Sequence, residues 1–507
     1  MNRSLTHAWT LVAIALSWAS APASAATLVH ASPAANLVYQ LDCVSHRIKS
    51  CGNRDGYAAL WQIRFHIDVA HDEGVAAWAR LQPHPRDANH ELVASRTDPV
   101  LLRTASFGID SIDRFVARLP EFLDPADVST AREVIQRVRP AFDDWWNDRA
   151  EGPLAAQVAT LQKAFRSGDI EDELTVMHRF FGLAPTDDTA LSIELVRRVA
   201  PSLTTSAESI GRYAIVEIGD EAATLHMPVV VHEYVHYLFR SMPAKRFAAL
   251  HARMLGTDGA HRSLERVAAW NLFNEALATA IGNGRVARSI TPDDFAWRSA
   301  RRRGLYNDDD VDAAAKALLP LIDWMFEAGH SIDDPAFADA YVGALSHAMG
   351  ARLRAPALVL RELAAVADAS LADGDGTFMA PIQQAFPSNH SLWSYRVHCC
   401  GQDFERPWSE HAGKQPRLAI VPVERRHDVL ALHGSAKLDK PGFSVRIVEG
   451  LPYIVIGVNS AGQVAPILAQ VAALPALTPG DYDMPAPRVA GTTATPSPPP
   501  RRPPSSD

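Results

Sequence analysis

In "VVVHEYVHYLF" (residues 229–239), His232 and His236 are four apart, and Glu233 directly follows the first. On a helix successive residues turn by about 100°, so side chains four apart lie within about 40° of each other. Both imidazoles can then reach one metal ion. Glu233 stands beside them without being needed as a ligand, where it can take a proton from water that the ion activates. The same residues also suit a helix with two hydrogen-bonded histidines and a solvated glutamate, so a third ligand decides the matter. Downstream, "NEALATA" (274–280) offers Glu275 on a second helical stretch. A His, His, Glu set leaves the fourth zinc position open for water. A closed structural site needs a fourth ligand, commonly Cys, and none is near in sequence. His251, Asp258, His261 and Glu265 lie between the motif and Glu275 and compete for the third place. Glu275 is better placed, because the small residues of "EALATA" let its helix pack closely against the first.

With this set the chain resembles the gluzincin metallopeptidases, in which an "HEYVH"-type helix is followed by a helix bearing a "NEALA"-like glutamate. It looks most like their exported bacterial branch, where an insertion lengthens the gap between the two helices. The resemblance covers residues 190–340 and not the flanks. It implies one Zn²⁺ per chain held by His232, His236 and Glu275, with Glu233 as general base. By the same resemblance Asn274 supports a ligand histidine or the neighbouring helix, and Tyr306 in "GLYNDDD" stabilises the tetrahedral intermediate. The strand "RYAIVEIG" (212–219) becomes an edge strand that takes up an extended peptide through backbone hydrogen bonds. A peptide or protein is the implied substrate.

The elements that must carry these residues predict an α+β chain, mainly helical. Residues 26–185 read as a helical region, with "STAREVIQRVRPAFDDWW" starting at a Ser129 cap and "PLAAQVATLQKAF" opening with Pro153. The Trp145–Trp146 pair suits a core better than a carbohydrate platform. Such a long segment ahead of the motif could serve as an inhibitory propeptide, whose trimming before residue 190 would raise activity. The resemblance implies a gluzincin-like catalytic domain over residues 186–385, a small sheet followed by the active-site helices. "LSIELVRR" (191–198) and "RYAIVEIG" have the strand pattern, with "VAPSLTTSAESIG" as the loop between them. The motif helix runs from Pro228 to just before Pro243. The Glu275 helix stops at Gly282–Asn283–Gly284, and helical patterns continue to residue 370. Residues 386–479 read as a small α/β domain, with strands in "RLAIVPV", "GFSVRIVEG" and "YIVIGV" and a helix in "VAPILAQVAAL". Residues 480–507 read as a disordered Pro-rich tail.

Arg3, the apolar run 8–19 and the small residues "APASA" predict a secretory signal peptide over residues 1–25, cleaved near Ala25. The run is well short of the roughly 20 residues a bilayer requires. A periplasmic or secreted protein without stable membrane insertion is therefore expected. Hydrophobic content of 47% with 21% charged residues marks a globular chain, and a net charge of −9 gives no support for nucleic-acid binding. Cys43, Cys51, Cys399 and Cys400 suit disulfides in an oxidising compartment; their spacing leaves the pairing open. Nothing in the sequence bears on oligomeric state. Two other functions compete with peptide hydrolysis: a non-catalytic periplasmic binding or assembly protein that keeps the fold, and a zinc amidase acting on cell-wall peptides.

Overall fold

The computed structural model describes residues 28–48, 51, 53–86, 98–184, 190–199, 207–220, 226–256, 262–371, 377–387, 391–400, 415–431 and 440–484. The segment expected to be a signal peptide and the Pro-rich residues beyond 484 lie outside these. The chain is a mixed α/β protein, mostly helical, with two small sheets. It divides into two compact units, Met1–Ala248 with Asn274–Phe337, and Ala249–Phe273 with Ala338–Asp507. No helix among the described residues is long and apolar enough to cross a membrane.

In the first unit, β1 (Leu28–His30) is followed by α1 (Pro33–Val44), α2 (Arg54–Arg64), α3 (Glu73–Arg80), α4 (Leu101–Ser106), α5 (Ile112–Arg118), α6 (Pro125–Trp145), α7 (Glu151–Phe165) and α8 (Gly168–Phe181). After these helices come β2 (Ser192–Arg197), β3 (Ala207–Ile210) and β4 (Tyr213–Ile218). The strands form one sheet in the order β1-β2-β4-β3, in which only β3 runs antiparallel to its neighbour. The expected boundary at residue 185 is therefore not a domain boundary. β1 pairs with β2, and α1 is tied to the sheet by buried polar groups. Ser32 donates from its backbone N and from Oγ to Glu194 at 2.6 and 2.8 Å, Asn36 Nδ2 donates to Leu195 O at 3.1 Å, and Tyr39 donates to Glu217 at 2.9 Å. Breaking these bonds would strand buried donors and acceptors at a cost of about 1–3 kcal/mol each. Trimming before residue 190 would remove β1 from the sheet together with these buried partners.

Within this region α6 begins at Pro125 behind Asp124, so Ser129 is an interior residue rather than the expected cap. Proline suits that first position because its missing N–H would have no helical partner there. Trp145 and Trp146 are buried against Phe142, as core residues. Cys43 and Cys51 form a disulfide, S–S 2.07 Å, and Cys399 and Cys400 form a vicinal pair.

β3 and β4 are a hairpin closed by Gly211 and Arg212. Gly211 has φ +57°, which a two-residue hairpin turn demands and glycine supplies without strain. Two expectations change here. Part of the "VAPSLTTSAESIG" loop is strand β3, and the sheet edge is β3, because β4 is paired on both sides. Next come α9 (Met227–Arg240), α10 (Ala244–Leu255), α11 (Leu264–Ala278), α12 (Ala287–Ile290), α13 (Pro292–Ser299) and α14 (Asp309–Ala328). α9 lies against β3 and β4.

The second unit is built on a six-stranded sheet in the order β10-β8-β9-β7-β5-β6. Its strands are β5 (Glu362–Asp368), β6 (Ser391–Val397), β7 (Arg417–Pro422), β8 (Gly442–Val448), β9 (Leu451–Val458) and β10 (Gly480–Asp483). β6, β5, β7 and β9 run parallel, and β8 runs antiparallel to both of its neighbours, β9 and β10. The sheet thus starts at residue 362, ahead of the expected boundary at 386, and reaches into the segment expected to be tail. The Ala-rich "ELAAVAD" of β5 suits a helix by propensity. Its position between two strands, with Leu363 through Ala367 all buried, overrides that preference.

Candidate metal centre

α9 is buried almost all round, with only Val229 part-exposed between Met227 and Phe239. A helix apolar on every face belongs in a core. This one also buries His232, Glu233 and His236, at 5%, 7% and 6% exposure. Buried polar groups must find partners. The two histidines face each other and Glu275, which α11 contributes to the same unit. His232 Nε2 and His236 Nε2 are 3.0 Å apart. Glu275 Oε2 is 3.7 Å from His232 Nε2, and Oε1 is 3.5 Å from His236 Nε2.

The approach of the two helices depends on Gly282. The expected stop at Gly282–Asn283–Gly284 does not occur: the helix continues as a π-helical stretch, Thr279–Val286. A Cβ on Gly282 would lie 2.5 Å from Pro228 O and 2.6 Å from His232 N. Glycine is there for close backbone contact with α9, at the turn that carries the first histidine.

The three side chains fit a divalent ion. Tetrahedral zinc with bonds of roughly 2.0–2.1 Å spaces its donor atoms about 3.4 Å apart, near the observed separations. Burial, with the neighbouring His236, pushes the His232 imidazole down to about 3 against the pull of Glu275, so it is neutral, the form that ligates. Asn274 Oδ1 is 3.1 Å from His236 Nδ1, the bond that orients a ligating imidazole. Among the described residues, the other group with metal-ligand spacing is Cys43, Cys51 and Glu217, whose sulfurs are joined in the disulfide.

Glu233 lies outside the ligand group. Burial pushes its carboxyl above the usual range, opposed by His236 and by a hydrogen bond from the Ser209 side chain on β3. The Tyr306 ring stacks on His232, with centroids 5.8 Å apart and planes at 11°. The rival ligands are otherwise engaged or undescribed. His251 meets Trp270 edge-on, and Glu265 is paired with Arg354. Asp258 and His261 lie outside the described residues.

Ser209, Gly282 and Asp312, whose carboxylate accepts from the Tyr306 backbone N at 3.2 Å, were not anticipated as parts of this arrangement. The only local signal for Ser209 is the two-residue turn after it, and Gly282 reads in sequence as punctuation. Asp312, one of four aspartates in "NDDDVD", is set apart only by being buried. No protein-family model matches this chain, and no curated protein or solved structure matches it.

Proposed function

We propose that this chain is a zinc metallopeptidase of gluzincin type that hydrolyses peptide bonds. One observation carries the proposal: two imidazoles and a carboxylate converge within 3.7 Å of one another, with a buried glutamate beside them. His232, His236 and Glu275 would hold the ion. Three protein ligands leave a coordination position free, as catalytic rather than structural zinc requires. When bound, zinc supplies Lewis acidity, activating water and polarising a carbonyl.

The remaining chemistry belongs to the chain itself. Glu233 takes the proton of the attacking water and delivers it to the leaving amine. Its raised carboxyl pKa favours holding that proton between the two transfers, and the Ser209 hydroxyl keeps the carboxylate oriented. Tyr306, stacked on His232, is the candidate to stabilise the developing oxyanion. Among the described residues β3 has a strand partner on one side only, so its other edge suits an extended peptide, read mainly through backbone hydrogen bonds. Together with the leader-like residues 1–25, this describes an exported peptidase.

The test is hydrolysis by the purified chain. Zinc-loaded protein should cleave an unstructured peptide library, a metal chelator should stop it, and added zinc should restore it. Cleavage of peptidoglycan fragments but not peptides would move the assignment to a cell-wall amidase. Zinc uptake without cleavage of either would leave a binding protein.

A further inference from the structure

The two histidines of the centre are not oriented alike. A histidine that holds a metal through Nε2 usually has its ring fixed by a hydrogen bond at Nδ1. His236 has this bond, to Asn274. His232 Nδ1 is buried and, among the described residues, meets no hydrogen-bond partner. Its ring lies instead against the nearly parallel ring of Tyr306.

Tyr306 is itself held through its backbone. The turn before it is tightly constrained: Arg303 has φ +57°, a conformation that a non-glycine residue keeps only when its surroundings hold it. A Cβ on Gly304 would collide with the carbonyl of Arg298. Asp312, in the first turn of α14 and 3% exposed, gathers this turn onto one carboxylate. Its Oδ1 accepts from Leu305 N at 2.8 Å and Tyr306 N at 3.2 Å, and its Oδ2 from Arg303 N at 3.1 Å and Lys316 Nζ at 2.7 Å. From the other side, Asn283 Nδ2 donates to Leu305 O at 2.8 Å, and Asn283 lies on the helical run that carries Glu275. The neighbouring acids have outward tasks. Asp308 caps α14, and Asp309 pairs with Arg302 and Arg303.

We propose that Asp312 is a positioning residue of the metal centre: it fixes the 303–306 turn so that the Tyr306 ring orients His232, the role Asn274 performs for His236. This rests on His232 being a metal ligand. Asp312→Asn keeps the side-chain size but turns an N–H donor toward amides or an ammonium that are themselves donors. Zinc affinity of the metal-free protein, read by competition with a chromophoric chelator, should fall about 10- to 100-fold in Asp312→Asn and Tyr306→Ala. Tyr306→Phe, which keeps the ring, should retain wild-type affinity, separating orientation of His232 from any use of the hydroxyl. Amide hydrogen exchange of Leu305 and Tyr306 should accelerate in Asp312→Asn while α9 and α11 stay protected. Should that variant not fold, Asn283→Ala loosens the same turn from the opposite side. Wild-type zinc affinity in Asp312→Asn or in Tyr306→Ala overturns the proposal. A wild-type protein that takes up no zinc overturns the metal centre itself, a result read before any variant is compared.

Discussion

Glu233→Gln should lower peptide hydrolysis by about 10²–10⁴-fold, the usual contribution of a positioned acid–base group, while zinc content stays at about one ion per chain. The expectation follows from where Glu233 sits. It is buried on α9 next to His232, outside the group formed by His232, His236 and Glu275, and held by Ser209. Glutamine keeps the volume and can still accept the Ser209 hydrogen bond through its amide oxygen, so packing is conserved. What it cannot do is carry a proton from water to the leaving amine. Single-turnover assays with metal analysis of the same samples separate the two quantities. Undiminished hydrolysis would remove Glu233 from the chemistry, and loss of zinc would make it a ligand instead.

Gly282→Ala should weaken zinc binding by about 10²-fold and hydrolysis at least as much. The added methyl meets the Pro228 carbonyl and the His232 backbone, which cannot rotate away, so α9 and the π-helical stretch must separate. Overpacking of this kind typically costs about 1–3 kcal/mol, and here the strain falls where the donors of two helices converge. Gly284→Ala is the matched control. A Cβ there meets the Leu319 methyls at 3.2 and 3.4 Å, the end of a side chain that can shift. Replacing glycine within a helix also gains about 1 kcal/mol of propensity, so this variant should keep its zinc and its thermal midpoint. Equal zinc affinities for the two variants would show that helix proximity at Gly282 does not shape the centre.

The helical placement of His232, Glu233 and His236 could be read from sequence because spacing along one helix fixes direction without help from tertiary structure. Glu275 was also legible, since the small residues around it report how closely its helix can approach. Features set by long-range pairing were not. β1 joins β2 across 161 intervening residues, so the helices between them resemble a separate domain until the register is seen. β3 is four residues long, too short to display alternation, and its pairing makes β4 an interior strand. Gly282 has the local signature of a helix stop, and only the backbone of α9 lying against it shows otherwise. Asp312 is indistinguishable from Asp308, Asp309 and Asp310 by residue type; burial alone separates its task from theirs.

The most direct measurement is a calorimetric zinc titration of the metal-free wild type beside Glu275→Ala. The wild type should bind about one ion per chain, and the variant should bind more weakly by more than the roughly hundredfold that loss of a supporting hydrogen bond costs. No uptake by the folded wild type, or equal affinity in the two proteins, would contradict a centre made by His232, His236 and Glu275.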